Sequence, residues 1–250
     1  MLDEQERSRY SRQLLLPELG EAGQEKLKQG RVLLIGAGGL GSPAALYLAA
    51  AGVGVLGICD GDVVEPSNLN RQILHGTGNL GQAKTSSAKA SLTGLNPDIQ
   101  VIAHNGFVTP ESIQELIAPY DFILDCTDSF AAKFMINDAC THAGKAFCHA
   151  GIGGFSGQLM TWLPGIGAPC FRCIFREAPK GPQNRSVMGA IAGVVGCLQA
   201  MEAIKFIAGI GKPLTGTLLS CDALEGEFLR VKLPSADANC PACGGAALAT

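Results

Sequence analysis

At 250 residues, 47% of them apolar, the chain is long enough for one large α/β domain or two small ones and apolar enough for a core. Its net charge of −3 argues against nonspecific nucleic-acid binding, which needs a basic face. Charged residues from Asp3 onward argue against a signal peptide, and the longest apolar run, residues 187–198, is too short for a bilayer. A cytoplasmic protein with no membrane or nucleic-acid partner is therefore expected.

Residues 3–29 are polar and helix-prone, with Gly20 and Gly30 as breaks. Within them Arg9-Tyr10-Ser11-Arg12-Gln13 fits a solvated helical face. An apolar run at 32–35 then reads as a buried strand, glycines follow at 36, 38, 39 and 41, and Ser42-Pro43-Ala-Ala-Leu opens a helix. Strand, turn and helix together predict a phosphate cradle. Gly36, Gly38, Gly39 and Gly41 permit a tight turn and close approach of an anion, and the free N–H groups and dipole of the helix favour it. The next apolar run, 54–59, closes on Asp60, where dinucleotide-binding folds place a ribose-binding carboxylate.

Beyond Asp60 and Asp62 come Asn68, Arg71 and Gln72, long polar groups just past a strand's carboxyl end. Lys84 follows at the start of a helix that runs to residue 95, stopped by Asn96-Pro97. An arginine and a lysine near a phosphate cradle can neutralise a triphosphate or its departing pyrophosphate; the alternative is two surface cations. Residues 100–104 read as a third strand, 111–118 as a helix and 121–126 as a fourth strand, which delivers Thr127 and Asp128 to the same edge. Asp128 can hold Mg²⁺ against phosphates or cap the helix at 130–143, and the two roles are compatible. A fifth strand spans 146–150.

The alternation then ends. Residues 158–163 read as an antiparallel strand, 165–185 as a long loop, 187–208 as an apolar helix, and 215–222 with 227–233 as a hairpin turning at Glu225-Gly226. The tail from 244 to 250 is of low complexity and expected to be disordered. Four of the ten cysteines form two Cys-x-x-Cys pairs, Cys170/Cys173 and Cys240/Cys243, which point to a structural zinc site pinning the tail to the loop. A redox motif would open a helix after a strand, and neither pair does so in this reading. The other six (Cys59, Cys126, Cys140, Cys148, Cys197, Cys221) read as small buried hydrophobes of a reduced protein.

Taken together, these residues resemble the bacterial MoeB/ThiF/HesA family of adenylyltransferases, relatives of ubiquitin-activating enzymes. The likeness covers nearly the whole chain. It runs through Arg-Tyr-Ser-Arg-Gln at 9–13, Gly-Ala-Gly-Gly-Leu-Gly at 36–41, Asp60-Gly-Asp62 and Ser-Asn-Leu-Asn-Arg-Gln at 67–72. It continues through Gly-Gln-Ala-Lys at 81–84, Asp-Cys-Thr-Asp at 125–128, both Cys-x-x-Cys pairs and Leu-Gln-Ala-Met-Glu-Ala-Ile-Lys at 198–205. The resemblance implies an enzyme that uses ATP to adenylylate the Gly-Gly carboxylate of a ubiquitin-like sulfur carrier. By matched position Asp60 would bind ribose, Asn68, Arg71 and Lys84 the phosphates, and Asp128 the Mg²⁺. Arg12 would reach the ATP of the partner subunit in a homodimer. No histidine base is needed, because the nucleophile is already a carboxylate.

Two departures stand out. Many family members carry a loop cysteine before the apolar helix, and the matching position is Pro182, so a covalent carrier adduct there is not expected. Ser129 stands where the family often has Asn. The missing cysteine favours the molybdopterin carrier, while Gln158-Leu-Met and the Cys-Pro-x-Cys-Gly-Gly ending favour the thiamine-thiazole carrier. No rhodanese-like segment follows, so a separate sulfur donor is expected.

The expected architecture is a Rossmann-like, mostly parallel sheet with helices on both faces, extended by antiparallel strands in the carboxyl-terminal half and carrying the zinc site. Residues 1–29 form a helical arm, 30–150 a nucleotide-binding half, 151–243 a carrier-binding half and 244–250 a tail. An NAD-dependent dehydrogenase would explain the glycines and Asp60 but leave Asn68, Arg71, Lys84 and the cysteines idle. A non-catalytic nucleotide-binding scaffold would tolerate loss of Arg71 or Asp128.

Overall fold

A computed structural model describes residues 1–178 and 186–244. Its centre is an eight-stranded sheet: β1 (Arg31–Ile35), β2 (Val55–Asp60), β3 (Gln100–Asn105), β4 (Phe122–Asp125), β5 (Ala146–Gly153), β6 (Ser156–Trp162), β7 (Thr217–Asp222) and β8 (Glu227–Lys232). The spatial order is β3-β2-β1-β4-β5-β6-β7-β8. β1 to β5 pair in parallel and β5 to β8 antiparallel, as the sequence predicts. The order reverses between β1 and β4, and that switch point opens the crevice where such sheets bind ligands.

Successive residues of β1 serve opposite faces. Val32 and Leu34 point into a core shared with helices α4 (Gly41–Ala51), α5 (Lys84–Leu95) and α9 (Gly189–Ala208). Leu33 and Ile35 point into a second core with α6 (Ile113–Ile117) and α7 (Phe130–Ala143), which also takes in Cys170, Cys240 and Cys243. Both faces are covered, which is why these strands are apolar without alternation.

The amino-terminal arm forms α1 (Glu4–Arg9), α2 (Ser11–Leu14) and α3 (Gly20–Gln29). Gly20, at φ +53°, opens α3 after a break at residues 15–19, and a further break falls at Tyr10, between α1 and α2. Tyr10 is buried because its ring packs on Gly52 and its hydroxyl accepts from Asn96 Nδ2 at 2.9 Å.

Several other expectations are corrected. Ser129, not Asp128, caps α7: its Oγ accepts the Ala132 N–H at 3.2 Å, and Asp128 is left exposed. The expected loop at 165–185 contains a short helix, α8 (Phe171–Ile174), whose N-cap is Cys170; that pair does open a helix, though not directly after a strand. α9 spans 20 residues with mean hydropathy 1.6, long and apolar enough to cross a membrane by length and composition. As the sequence predicts, the helix continues past the apolar run that ends at Leu198, because Gln199 and Glu202 find partners inside the protein. Glu202 Oε2 accepts from Thr161 Oγ1 at 2.6 Å and Leu214 N at 2.7 Å. Gly196 lets α9 lie against the nucleotide-side helix: a Cβ there would sit 2.4 Å from Leu40 O. Pro182 and residues 245–250 lie outside the described residues, and so do the expectations placed on them.

Candidate functional site

The site begins at the glycine turn after β1. Gly36 adopts φ +104°, and a Cβ there would meet Cys126 O at 2.7 Å. A Cβ on Gly41 would lie 2.0 Å from Gly36 O, so neither position admits a side chain without moving backbone. The turn therefore lies directly against the end of β4, where Thr127 and Asp128 begin.

Ala37, inside the turn, is held from both sides. Its N–H donates to Asp60 Oδ2 at 2.8 Å, and its carbonyl lies 3.0 Å from His75 Nε2. Asp60 Oδ1 also accepts from Asp62 N at 2.8 Å. Asp62 in turn pairs with Lys84 at 2.9 Å, and Lys84 is only 5% exposed although its partner faces solvent. Asp60, Asp62 and Lys84 are thus one connected unit around the glycine turn. His75 reaches Ser87 Oγ at 2.9 Å with its other nitrogen, and burial pulls it below the usual imidazole range.

Arg71 approaches from the opposite side. Its Cγ and Cδ lie 3.6 Å from where a Cβ on Gly39 would stand, and its Nη1 is steered by Ser67 O and Asn70 Oδ1, both at 3.0 Å. Gln72 Nε2 lies 3.7 Å from the Cβ position of Gly38. Gln72 is 5% exposed, and its Oε1 is buried with no hydrogen-bond partner among the described residues, an acceptor left over beside the turn. Asn68 is buried and spends its Oδ1 on Glu65 N at 3.1 Å, which shapes the turn carrying Arg71. Asp128 is exposed three residues past the end of β4, directly after Thr127, whose N lies 3.4 Å from where a Cβ on Gly36 would stand.

Arg12 is not brought into this assembly. It is exposed on α2, and its neighbour Gln13 donates to Ala51 O, at the far end of α4, at 3.2 Å. α4 has 11 residues, so about 16 Å of helix separates that end from the glycine turn.

Beneath Thr127 lies a buried polar network that the sequence did not single out. Asp125 accepts from Thr127 N at 3.0 Å and Thr127 Oγ1 at 2.6 Å, from Lys133 Nζ at 3.1 Å and from His149 Nδ1 at 2.5 Å. Burial alone would raise its pKa, but Lys133 and the bonds from His149 and Thr127 outweigh burial and hold it well below the usual carboxylate range. Gln199 Nε2 fixes the backbone by donating to Asp125 O at 3.0 Å and Cys148 O at 3.3 Å. His149 is paired with Asp125 by the β4–β5 register, which no local pattern displays.

The four cysteines gather as expected. Their Sγ atoms lie within 4.8 Å of one another, with Cys170–Cys240 at 3.6 Å, Cys173–Cys243 at 3.4 Å and Cys170–Cys173 at 3.9 Å. Tetrahedral zinc with Zn–S near 2.3 Å needs sulfurs about 3.8 Å apart, so the set fits the metal. Four thiolates leave no open position, as in structural sites. The knuckle is tied to α7 by Arg172–Asp138 at 2.6 and 2.7 Å and by Phe171 N to Asn137 Oδ1 at 2.8 Å. Of the other cysteines, Cys59 is typical: burial pushes its thiol up to about 11, so it stays protonated.

Known proteins with this sequence and shape agree. The chain is 46% identical over 248 residues to "Adenylyltransferase and sulfurtransferase MOCS3" of Sus scrofa, covering 97% of the chain and 54% of that protein. It is 44% identical to MOCS3-2 of Zea mays, covering 94% of the chain and 50% of that protein. The chain thus spans about half the length of these relatives. Among solved structures, E. coli MccB with ATP aligns with TM-score 0.85 at 24% identity, over 94% of this chain and 74% of that one, which speaks for the fold alone. PaaA aligns with TM-score 0.81 at 25% identity, over 93% and 75%. The ThiF family model matches residues 10–242, from the arm through the glycine turn to Cys240, and the chain belongs to the ThiF family.

Proposed function

We propose that this chain is an ATP-dependent adenylyltransferase that activates the carboxyl-terminal Gly-Gly carboxylate of a ubiquitin-like sulfur carrier for molybdopterin cofactor biosynthesis. The observation that carries this reading is Arg71 and the unpartnered Gln72 set against the glycine turn, with Lys84 tied to that turn through Asp62 and Asp60. A nicotinamide site would give those cations no work. The names of the relatives, each an adenylyltransferase and sulfurtransferase, support adenylyl transfer linked to sulfur transfer.

In the reaction, a carboxylate oxygen of the carrier attacks the α-phosphorus, the bond to the bridging oxygen breaks, and pyrophosphate leaves with the electron pair. No proton moves, so no general base is needed. Arg71 and Lys84 offset the charge building on the phosphates, and the glycine-turn amides hold phosphate oxygens at the helix terminus. Asp60 receives the ribose hydroxyls. Asp128 would hold Mg²⁺, which supplies further charge neutralisation when bound.

The active form would be a homodimer. Arg12 lies a helix length from the glycine turn of its own chain, which supports its use in the partner's site. Residues 30–150 then form the nucleotide half and 151–243 the carrier half. In the carrier half the hairpin β7–β8 exposes Leu224, Phe228, Leu229 and Val231, an apolar surface for the carrier. The test is ATP–pyrophosphate exchange with purified Gly-Gly carriers. Exchange that appears only with a carrier present is expected; tight NADH binding without exchange by any carrier would overturn the proposal.

A further inference from the structure

Asp125 ends β4 and is wholly buried. Its two oxygens have different tasks. Oδ1 accepts both Thr127 N and Thr127 Oγ1, which closes the turn between β4 and Asp128. Oδ2 accepts from His149 Nδ1 and Lys133 Nζ. Lys133 is itself fixed by Ala150 O at 2.6 Å, and its charge compensates that of Asp125.

His149 is the unexpected member. Its ring lies between Phe171, with centroids 4.5 Å apart, and the edge of Phe147 at 4.9 Å. Its Nε2 is buried with no hydrogen-bond partner among the described residues. An orphaned ring nitrogen in an aromatic pocket carries a desolvation cost that phenylalanine would not. Packing therefore does not account for a histidine here. What phenylalanine could not supply is the Nδ1–H that meets Asp125.

We propose that His149 is a positioning residue: by donating to Asp125 Oδ2 it locks the 125–128 turn and so aims Asp128 at the magnesium ion. This rests on the reading of Asp128 as the magnesium carboxylate. Phe171 belongs to the cysteine knuckle, so the same ring contact makes the knuckle the back wall of the positioning unit. Groups that orient a metal carboxylate from behind change metal affinity by roughly 10- to 100-fold when lost.

The test measures the Mg²⁺ dependence of carrier-dependent exchange and, independently, of ATP binding by calorimetry. His149→Phe keeps a flat ring and removes the donor; its apparent Mg²⁺ constant should rise about 10-fold while the carrier KM stays within about twofold. His149→Asn places an amide N–H near the Nδ1 position and should stay within about threefold of wild type, whereas His149→Gln, whose donor lies one bond further out, should resemble the phenylalanine variant. If His149→Phe does not fold, the Asn and Gln pair decides alone. Equal Mg²⁺ constants for Asn and Gln, or a wild-type constant in His149→Phe, would overturn the proposal. Asp128→Asn separates the two levels. If it leaves the Mg²⁺ dependence unchanged, the role of Asp128 itself is wrong; if it weakens Mg²⁺ while the His149 variants do not, only the positioning role is wrong.

Discussion

The glycine turn and the cysteine cluster are both built from closely spaced small motifs, but they leave their polar groups in opposite states. Around the turn, Gln72 Oε1 has no partner among the described residues, Asp128 faces solvent, and the buried Lys84 ammonium leans on an exposed carboxylate; Arg12, a helix length away, also faces solvent. Around the cluster the sulfurs face each other, and the flanking charges are consumed in Arg172–Asp138 and Arg176–Asp237 pairs. Groups left over once the fold is complete are the ones available to a ligand. Groups used up by their neighbours hold the fold.

The strongest way to break this contrast is at the leftover charges. Arg12→Ala and Asp128→Ala homodimers should each lose on the order of 10³-fold in carrier-dependent exchange, with thermal midpoints little changed. Refolded together as an equal mixture, they should recover about a quarter of wild-type activity, because half the dimers pair one intact site with a donated Arg12. No recovery with heterodimers present would mean that Arg12 serves its own chain.

At the cluster the sign reverses. Structural zinc contributes on the order of 10 kcal/mol to the elements it joins, so Cys173→Ser should lower the melting midpoint by up to roughly 20–40 °C. Metal analysis should find about one zinc per wild-type chain. Protein purified without chelator and free of zinc would refute the site.

A smaller effect sharpens the role of the turn's scaffold. His75 is held neutral by burial, so the unfolded chain takes up a proton that the folded chain refuses. Stability should therefore fall as pH drops below about 6.5, and His75→Gln should show a shallower fall between about pH 6.5 and 5. Parallel midpoint–pH curves for the two proteins would exclude this. The smallest effect belongs to Ser129→Ala, which removes the α7 cap and should cost about 1 kcal/mol, or roughly 2–4 °C. A midpoint equal to wild type would return the capping role to Asp128.

The sequence by itself determined the parallel strands, the glycine turn and the two cysteine pairs. Each depends on residues close together in the chain: apolar runs, glycines at fixed spacing, thiolates two apart. Asp60, Arg71, Lys84 and Asp128 were legible because they follow the carboxyl ends of strands, where open sheets gather ligand groups. The tertiary structure alone decided that Ser129 rather than Asp128 caps α7, and which partners Gln199 and Glu202 find inside the protein. It alone also showed the burial of Asp125 between Lys133 and His149. Asp125 and His149 are 24 positions apart, and they meet only because β4 and β5 pair in one register and α8 closes over the ring. A lone histidine in an apolar strand carries no mark of its partner. Shifting that register by one residue would turn the imidazole to the other face of the sheet, so its role exists only once the strands have docked.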